Sequence, residues 1–332
     1  MDGIAAPPLA RGRTRKRAAQ SLPAMLADIG KRLVLVAVVM AGALALTHFP
    51  WDTDKPLSKQ EIAELEKYYA TAYQNKASLE EEPVNSDYVR IAEGAAAKAN
   101  VKEAVGFFVK EHGLGGKKVL DVGAGRGYLQ DLVDDYTGLD ISPSAKRFFH
   151  KKFVHASATY MPFQEGEFDG LWTIWVLEHV PNPEAALAEM RRVVKDGGVL
   201  LLSPAWNCRP WAADGYPVRP YSDFGAGGKL YKAAIPALEI TANYARFPVR
   251  LIRHATWKVT GEPTHLRYRR IKPNYDQYWM ADSDAINALD RHEVARWFLS
   301  RGDECLNCDS GLNGLTDPDE ALVIRLHKKP KG

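Results

Sequence analysis

Three glycines spaced two apart follow a short apolar run in Val119-Leu120-Asp121-Val122-Gly123-Ala124-Gly125-Arg126-Gly127-Tyr128. Such a turn at the end of a buried strand lets a nucleotide-like ligand approach the backbone. Side chains at Gly123, Gly125 or Gly127 would fill that space or forbid the torsions it needs. Asp121 sits at the strand's carboxyl end, where a carboxylate meets the positive end of a ligand. A dinucleotide fingerprint requires a third glycine three residues after the second, and that position is Tyr128. The GxGxG spacing therefore favours a ligand with an amino-acid tail over one with a pyrophosphate, which needs an open helix N-terminus. Nineteen residues after Asp121 comes Asp140, in Gly138-Leu139-Asp140-Ile141. A carboxylate there accepts both hydroxyls of a ribose.

The elements that hold these residues are read from apolar runs. Val119 to Val122, Thr137 to Ile141, Phe153 to Ala158, Leu171 to Val176 and Val199 to Ser203 are short and apolar or β-branched, with helical stretches such as Glu184 to Val194 between several of them. Strands separated by helices imply a parallel sheet covered on both faces. Upstream, Ser58 with Glu61 forms a capping-box pattern opening a helix through Tyr68, Tyr69 and as far as Tyr73. The acidic stretch Glu80 to Ser86 breaks it, and a second helical region runs from Asp87 to His112. The alternation stops at Pro204. It resumes with a helix from Asp290 to Arg301, a strand from Asp303 to Cys308 and a strand from Glu320 to Lys328, so residues 206–289 are an insert in one domain.

The glycine turn and Asp140 resemble the class I S-adenosylmethionine-dependent methyltransferase family, in its broad small-molecule, type 11-like branch. The likeness continues in family order through Tyr160-Met161-Pro162-Phe163, Glu167-Phe168-Asp169-Gly170, Leu177-Glu178-His179-Val180 and Val193-Val194-Lys195-Asp196-Gly197-Gly198, covering about ninety contiguous residues. It implies an α/β, Rossmann-like doubly wound sheet, mostly parallel with an antiparallel last strand, and S-adenosyl-L-methionine as cofactor. It also implies that Asp121, Gly123 and Gly125 line the methionine end, with Ala124 and Gly127 in the same turn. Asp140, followed by Ile141, would hold the ribose, and Ser157 with Ala158 would flank the adenine. At Ser157 the family often carries an acid.

Transfer from a sulfonium is an in-line displacement with a good leaving group, so such an enzyme mainly aligns the reactants and removes water. A hydroxyl acceptor needs a base, and His179, beside Glu178 after the fourth strand, is the candidate; a structural role at the cofactor's edge is the competing reading. The insert follows the fifth strand and so stands over the methyl group. Its Trp206, Arg209, Trp211, Tyr216 and Arg219 are the expected acceptor contacts, mixing rings with cations suited to an anionic or glycan-bearing acceptor.

Arg11, Arg13, Arg15, Lys16, Arg17, Lys31 and Arg32 precede the apolar run Leu33 to Leu46, which ends near Phe49 and Trp51. That order reads as membrane-directed: a spanning or signal anchor, a cleaved signal, or an interfacial or buried helix. Charge asymmetry would export the chain beyond this run, whereas the cofactor is made in the cytosol. A second basic stretch, Arg246 to Lys272, is expected on an anionic membrane surface near the anchor. The division expected is 1–32 basic terminus, 33–51 anchor or signal, 57–113 N-terminal helices, 117–205 cofactor core, 206–289 acceptor cap and 290–328 closing elements. The net charge of +3 gives no sign of nucleic acid as a partner. The three cysteines make neither a disulfide framework nor a zinc site, since strand alternation would aim Cys305 and Cys308 at opposite faces. A nicotinamide oxidoreductase and a catalytically idle ligand-binding scaffold are the rival functions.

Overall fold

The computed structural model describes residues 22–48, 56–72, 86–308, 314–315 and 320–328. The chain divides into two compact units, Met1–Ala43 and Leu44–Gly332. Helix α1, Leu22–His48, is 27 residues long. Yet among the described residues no helix is long and apolar enough to cross a membrane. The expected anchor, and the membrane localisation drawn from it, are corrected accordingly. Asp28, Lys31 and Arg32 fall inside the helix, with Arg32 paired to Asp28 at 2.9 Å. The apolar run beyond them has 14 residues, about 21 Å at helical rise, against the roughly 30 Å of hydrocarbon. The basic cluster Arg11 to Arg17, the aromatic pair Phe49 and Trp51, Tyr73 and most of the acidic break from Glu80 lie outside the described residues.

In the larger unit a seven-stranded sheet has the order β3-β2-β1-β4-β5-β9-β8. Its strands are β1 Lys118–Val122, β2 Asp135–Asp140, β3 Lys152–His155, β4 Phe168–Ile174, β5 Val194–Ser203, β8 Glu304–Cys305 and β9 Leu322–Arg325. The first five are parallel; β9 runs antiparallel to β5 and β8 to β9. Alternation along β1 divides the core. Leu120 and Val122 pack with Leu187 and Met190 of α5 (Pro183–Val193) and Val294 and Phe298 of α8 (Arg291–Leu299). Val119 packs on the other face with Val105, Phe108 and Val109 of α4 (Val101–Glu111), beside Tyr136 and Trp172. Burial on both faces is why these strands read as continuous apolar runs.

Caps written in the sequence set several helix starts. Ser58 and Glu61 exchange hydrogen bonds, Glu61 N to Ser58 Oγ at 3.2 Å and Ser58 N to Glu61 Oε2 at 2.7 Å, opening α2 (Lys59–Ala72). Asn182 caps α5 through Ala185 N and Asp290 caps α8 through His292 N. The long helix expected over 87–112 is instead two, α3 (Ser86–Lys98) and α4, broken where Asn100 takes a left-handed φ of 50°. No α-helix follows the glycine turn: only a 3-10 turn, Gln130–Leu132, lies between β1 and β2. The turn itself consumes residues 123–127, leaving too few before Asp135 for a helix and its return.

The insert contributes α6 (Ala226–Ala245), α7 (Phe247–Thr260) and the antiparallel hairpin β6 (Tyr268–Arg270) with β7 (Asn287–Leu289). Much of its basic stretch turns inward, which corrects the expectation of a membrane-facing surface. Arg250 donates twice to Asp290 Oδ2, at 2.7 and 3.1 Å, and Arg253 grips both oxygens of Glu293. Arg270 donates to Asn287 Oδ1 and to the Pro181 carbonyl. The cysteine expectation is corrected too. The strand ends at Cys305, a turn at Leu306 and Asn307 follows, and Cys305 and Cys308 form a disulfide with Cα atoms 5.5 Å apart.

Candidate active site

The carboxyl ends of β1, β2, β3 and β4 open into a cleft of about 240 Å³. Asp121, Gly123, Ala124, Gly125, Asp140, Ile141, Ser157, Ala158 and His179 all line it, brought from four strand ends to one place. Gly127 does not. Its φ of 73° turns the chain, and a Cβ there would meet Gln130 Nε2 at 2.8 Å and the Phe149 ring at 3.1 Å. Gly123, at φ 75°, marks a close approach, since a Cβ would lie 2.1 Å from Val176 Cγ2. Trp175, at the end of β4, also has positive φ, 54°, and its N–H bonds the Ser203 carbonyl at 2.9 Å.

The two aspartates differ in their partners. Asp140 accepts Gly125 N on Oδ2 and Ser142 N on Oδ1, both at 2.8 Å, so it braces the glycine turn while each oxygen keeps a lone pair for a ligand hydroxyl. Its pKa is raised by burial, against those backbone donors. Asp121 accepts the Tyr136 hydroxyl at 2.7 Å. Burial pushes it up to about 7, so a cation placed beside it would favour the ionised form. Ser157 is tied into its own turn, with Oγ accepting from Thr159 N at 3.2 Å and 2.8 Å from Thr159 Oγ1. At the mouth, Arg126 Nη1 pairs with Glu93 Oε1 at 2.5 Å, linking α3 to the glycine turn.

His179 closes the other end of the cleft, on a 3-10 turn spanning Leu177–His179. Its Nδ1 lies 3.6 Å from Asp284 Oδ2 and its Nε2 3.8 Å from Glu178 Oε1, with both carboxylates fully buried. Burial disfavours its charge, but Asp284, Glu178 and Asp282 outweigh that and raise its pKa. Burial likewise lifts Glu178 to about 7 and raises Asp282. The hydroxyl of Tyr69 donates to Asp284 Oδ2 at 2.7 Å, and its ring meets the imidazole edge-on at 5.9 Å. Tyr88 joins Tyr69 in lining the cleft. Tyr68, Tyr275 and Tyr278 stand behind them, ring to ring at 4.9 to 5.8 Å.

Of the insert residues expected to meet the acceptor, none lines this cleft. Trp206 packs on the main core and donates to the Glu320 carbonyl. Tyr216 stacks on Phe224 at 4.5 Å, and Arg219 lies 4.7 Å from both Phe224 and Trp279, so these two build the insert's own interior. Arg209 and Trp211 line a separate cavity. The insert reaches His179 through Asp284, which sequence reasoning missed together with Tyr69 and Tyr88. The signals present were the Tyr68-Tyr69 pair on a capped helix and the doublet Asp282-Ser283-Asp284.

A glycine turn braced by Asp140 at the ends of a mostly parallel sheet defines a Rossmann-like architecture. A family model described as Methyltransferase domain matches residues 120–202. The chain is 31% identical over 197 residues to the Ubiquinone biosynthesis O-methyltransferase of Dechloromonas aromatica (strain RCB), covering 54% of this chain and 78% of that protein. It is 26% identical over 201 residues to the protein of the same name from Albidiferax ferrireducens, covering 53% and 72%. A solved methyltransferase structure from Bacillus halodurans C-125 is 29% identical over 26% of this chain and 44% of that one, with a TM-score of 0.25. The chain thus spans less than half of that solved structure's length. It belongs to the class I S-adenosylmethionine-dependent methyltransferases, of the type 11-like kind, and its cofactor is S-adenosyl-L-methionine.

Proposed function

We propose that this methyltransferase acts on an oxygen nucleophile of a small, flat or saccharide-like acceptor, with His179 as the general base. The observation that carries the reading is the pairing of His179, which lines the cleft, with buried Asp284. The relatives named as O-methyltransferases point the same way.

The residues present fit the cofactor. Asp121, Gly123, Ala124 and Gly125 line the cleft, where they would hold its methionine end, and the missing Cβ of Gly123 lets the turn pack against Val176. Asp140 with Ile141 faces the ribose, and Ser157 with Ala158 borders the adenine. When bound, S-adenosylmethionine supplies a methyl group on a sulfonium whose departure leaves a neutral thioether. The rings of Tyr69 and Tyr88 give the acceptor a wall to stack on. His179 takes the hydroxyl proton as the oxygen attacks; Asp284 and Glu178 stabilise the imidazolium that results. Residues 57–113 then serve as the acceptor wall, 117–205 as the cofactor core, 206–289 as the insert bringing Asp284, and 290–328 as the closing elements.

His179→Asn tests this with a labelled methyl donor and an acceptor fraction from cell extract. Turnover is expected to fall about 10²- to 10⁴-fold, the usual worth of a general base, while cofactor affinity stays unchanged. Undiminished turnover, or equal loss of turnover and cofactor binding, would place His179 in the fold or the cofactor site.

A further inference from the structure

Among the described residues, four that are not glycine have positive φ: Asn100, Trp175, Asn207 and Asp282. Asparagine and aspartate enter this left-handed region readily, because a short polar side chain can bond locally; a bulky ring there is an outlier. Trp175 therefore holds strained backbone, and it does so on the wall of the cofactor cleft. The neighbouring turn after β1 uses glycine for the same purpose, with Gly123, Gly125 and Gly127 at φ of 75°, 52° and 73°. A glycine after β4 would turn the chain without strain, so the strain is accounted for by the ring and not by the turn. β1 and β4 lie side by side, with Val122 opposite Thr173, so the glycine turn and Trp175 leave the sheet together. Val176 closes the gap between them, since a Cβ on Gly123 would meet its Cγ2 at 2.1 Å. Trp175 is half-buried: it packs against the core cluster that holds Val105 and Phe108 of α4, and it also lines the cleft.

We propose that the indole of Trp175 is the contact for the sulfonium of S-adenosylmethionine, and so sorts the charged cofactor from the neutral S-adenosylhomocysteine left after transfer. The inference rests on the glycine turn seating the methionine end, as proposed above, and is independent of His179. The sulfonium joins the methionine chain to the ribose, which places it beside that turn. It is also the one charge that transfer removes, because the amino and carboxylate groups are common to both molecules. Each carboxylate lining the cleft has another task. Glu93 is paired with Arg126. Asp140 braces the turn and, on the same reading, holds the ribose; Asp121 accepts the Tyr136 hydroxyl and meets the amino group. A π face attracts a cation without the desolvation cost of a buried carboxylate, and without an oxygen lone pair that the methyl group could alkylate.

Calorimetric titration of the full chain with S-adenosylmethionine and with S-adenosylhomocysteine tests this, on the parent and on Trp175→Leu, Trp175→Phe and Gly125→Arg, each first shown to unfold cooperatively. Leucine keeps apolar bulk but has no π face. Trp175→Leu should weaken S-adenosylmethionine about three- to thirtyfold, the range for a cation on a ring shielded from water, and S-adenosylhomocysteine less than about twofold. Trp175→Phe, which keeps a ring, should lose less of that preference than Trp175→Leu. Equal weakening of both ligands in Trp175→Leu makes the indole a packing surface only and overturns the proposal. So does unchanged affinity for S-adenosylmethionine, or a phenylalanine variant no better than the leucine one. Gly125→Arg separates the two readings. If it alone abolishes binding, the seat stands and the sulfonium contact falls; if it binds both ligands as the parent does, the seat lies elsewhere and both fall.

Discussion

His179 is held between its neighbour Glu178 and Asp284, which lies more than a hundred positions away in sequence, and that sets how its activity depends on pH. Burial opposes the imidazolium, but Asp284 first, then Glu178 and Asp282, lift its pKa above the ordinary 6.5. A base must be neutral to accept a proton, so turnover should rise with pH through that raised value. Asp284→Asn removes the largest lifting charge, and the ascending limb of the pH–rate profile should move to lower pH, with cofactor affinity unchanged. A limb that stays in place or moves upward would separate Asp284 from the base. At this scale the sequence was informative wherever chemistry is local. Asp121, the glycines and Asp140 lie within 20 residues of one another, with a spacing that only a strand-turn-strand arrangement explains. Tyr69 and Asp284 are 215 positions apart, and no local spacing connects them. Arg209 and Arg219 were read from composition as one acceptor site, but the fold sends one to a separate cavity and the other between two rings.

Between elements, the insert is fastened to the core through ion pairs of α7 with the start of α8. Arg250 and Asp290 are 7% and 0% exposed at their side chains, with two hydrogen bonds between them. Breaking such a pair from one side leaves a buried charge unanswered. Arg250→Met should therefore cost about 3–5 kcal/mol in urea denaturation at neutral pH; a change under about 1 kcal/mol would show the pair to be incidental. The sign with pH comes from Asp290. Burial would raise its pKa, but Arg250, then His292 and Arg246, hold it well below the carboxylate range. Its contribution is present above the ordinary value near 3.8 and is lost as pH falls through the lower folded value. The variant should lose less stability than the parent on acidification. The start of α2 was legible because Ser58 and Glu61 act within three residues of each other, whereas the caps Asn182 and Asp290 of α5 and α8 were not read. The Cys305–Cys308 bridge was not legible, because it depends on where a strand stops.

For the whole molecule, the parallel sheet was legible from the alternation of apolar runs with helical stretches, whereas the membrane reading gave a basic-then-apolar order more weight than the shortness of a 14-residue run. The larger unit begins at Leu44, and α2 opens on a reciprocal cap of its own. A chain lacking residues 1–50 should accordingly melt within about 2 °C of the full chain, less than a loss of 1 kcal/mol would produce in a domain of this size, and bind the cofactor equally well. A clear drop in either would make the N-terminal segment part of the fold.

On the reading proposed above, the glycine turn after β1 seats the methionine end of S-adenosylmethionine. Gly125 lines the cleft at φ 52°, and its N–H is donated to Asp140. A long side chain there would occupy the ligand's place. Calorimetric titration of S-adenosylmethionine into the full chain and into Gly125→Arg, each first shown to unfold cooperatively, tests this most directly. Saturable binding by the parent and none by the variant is the outcome required. Unchanged affinity in Gly125→Arg would place the methionine end away from the glycine turn.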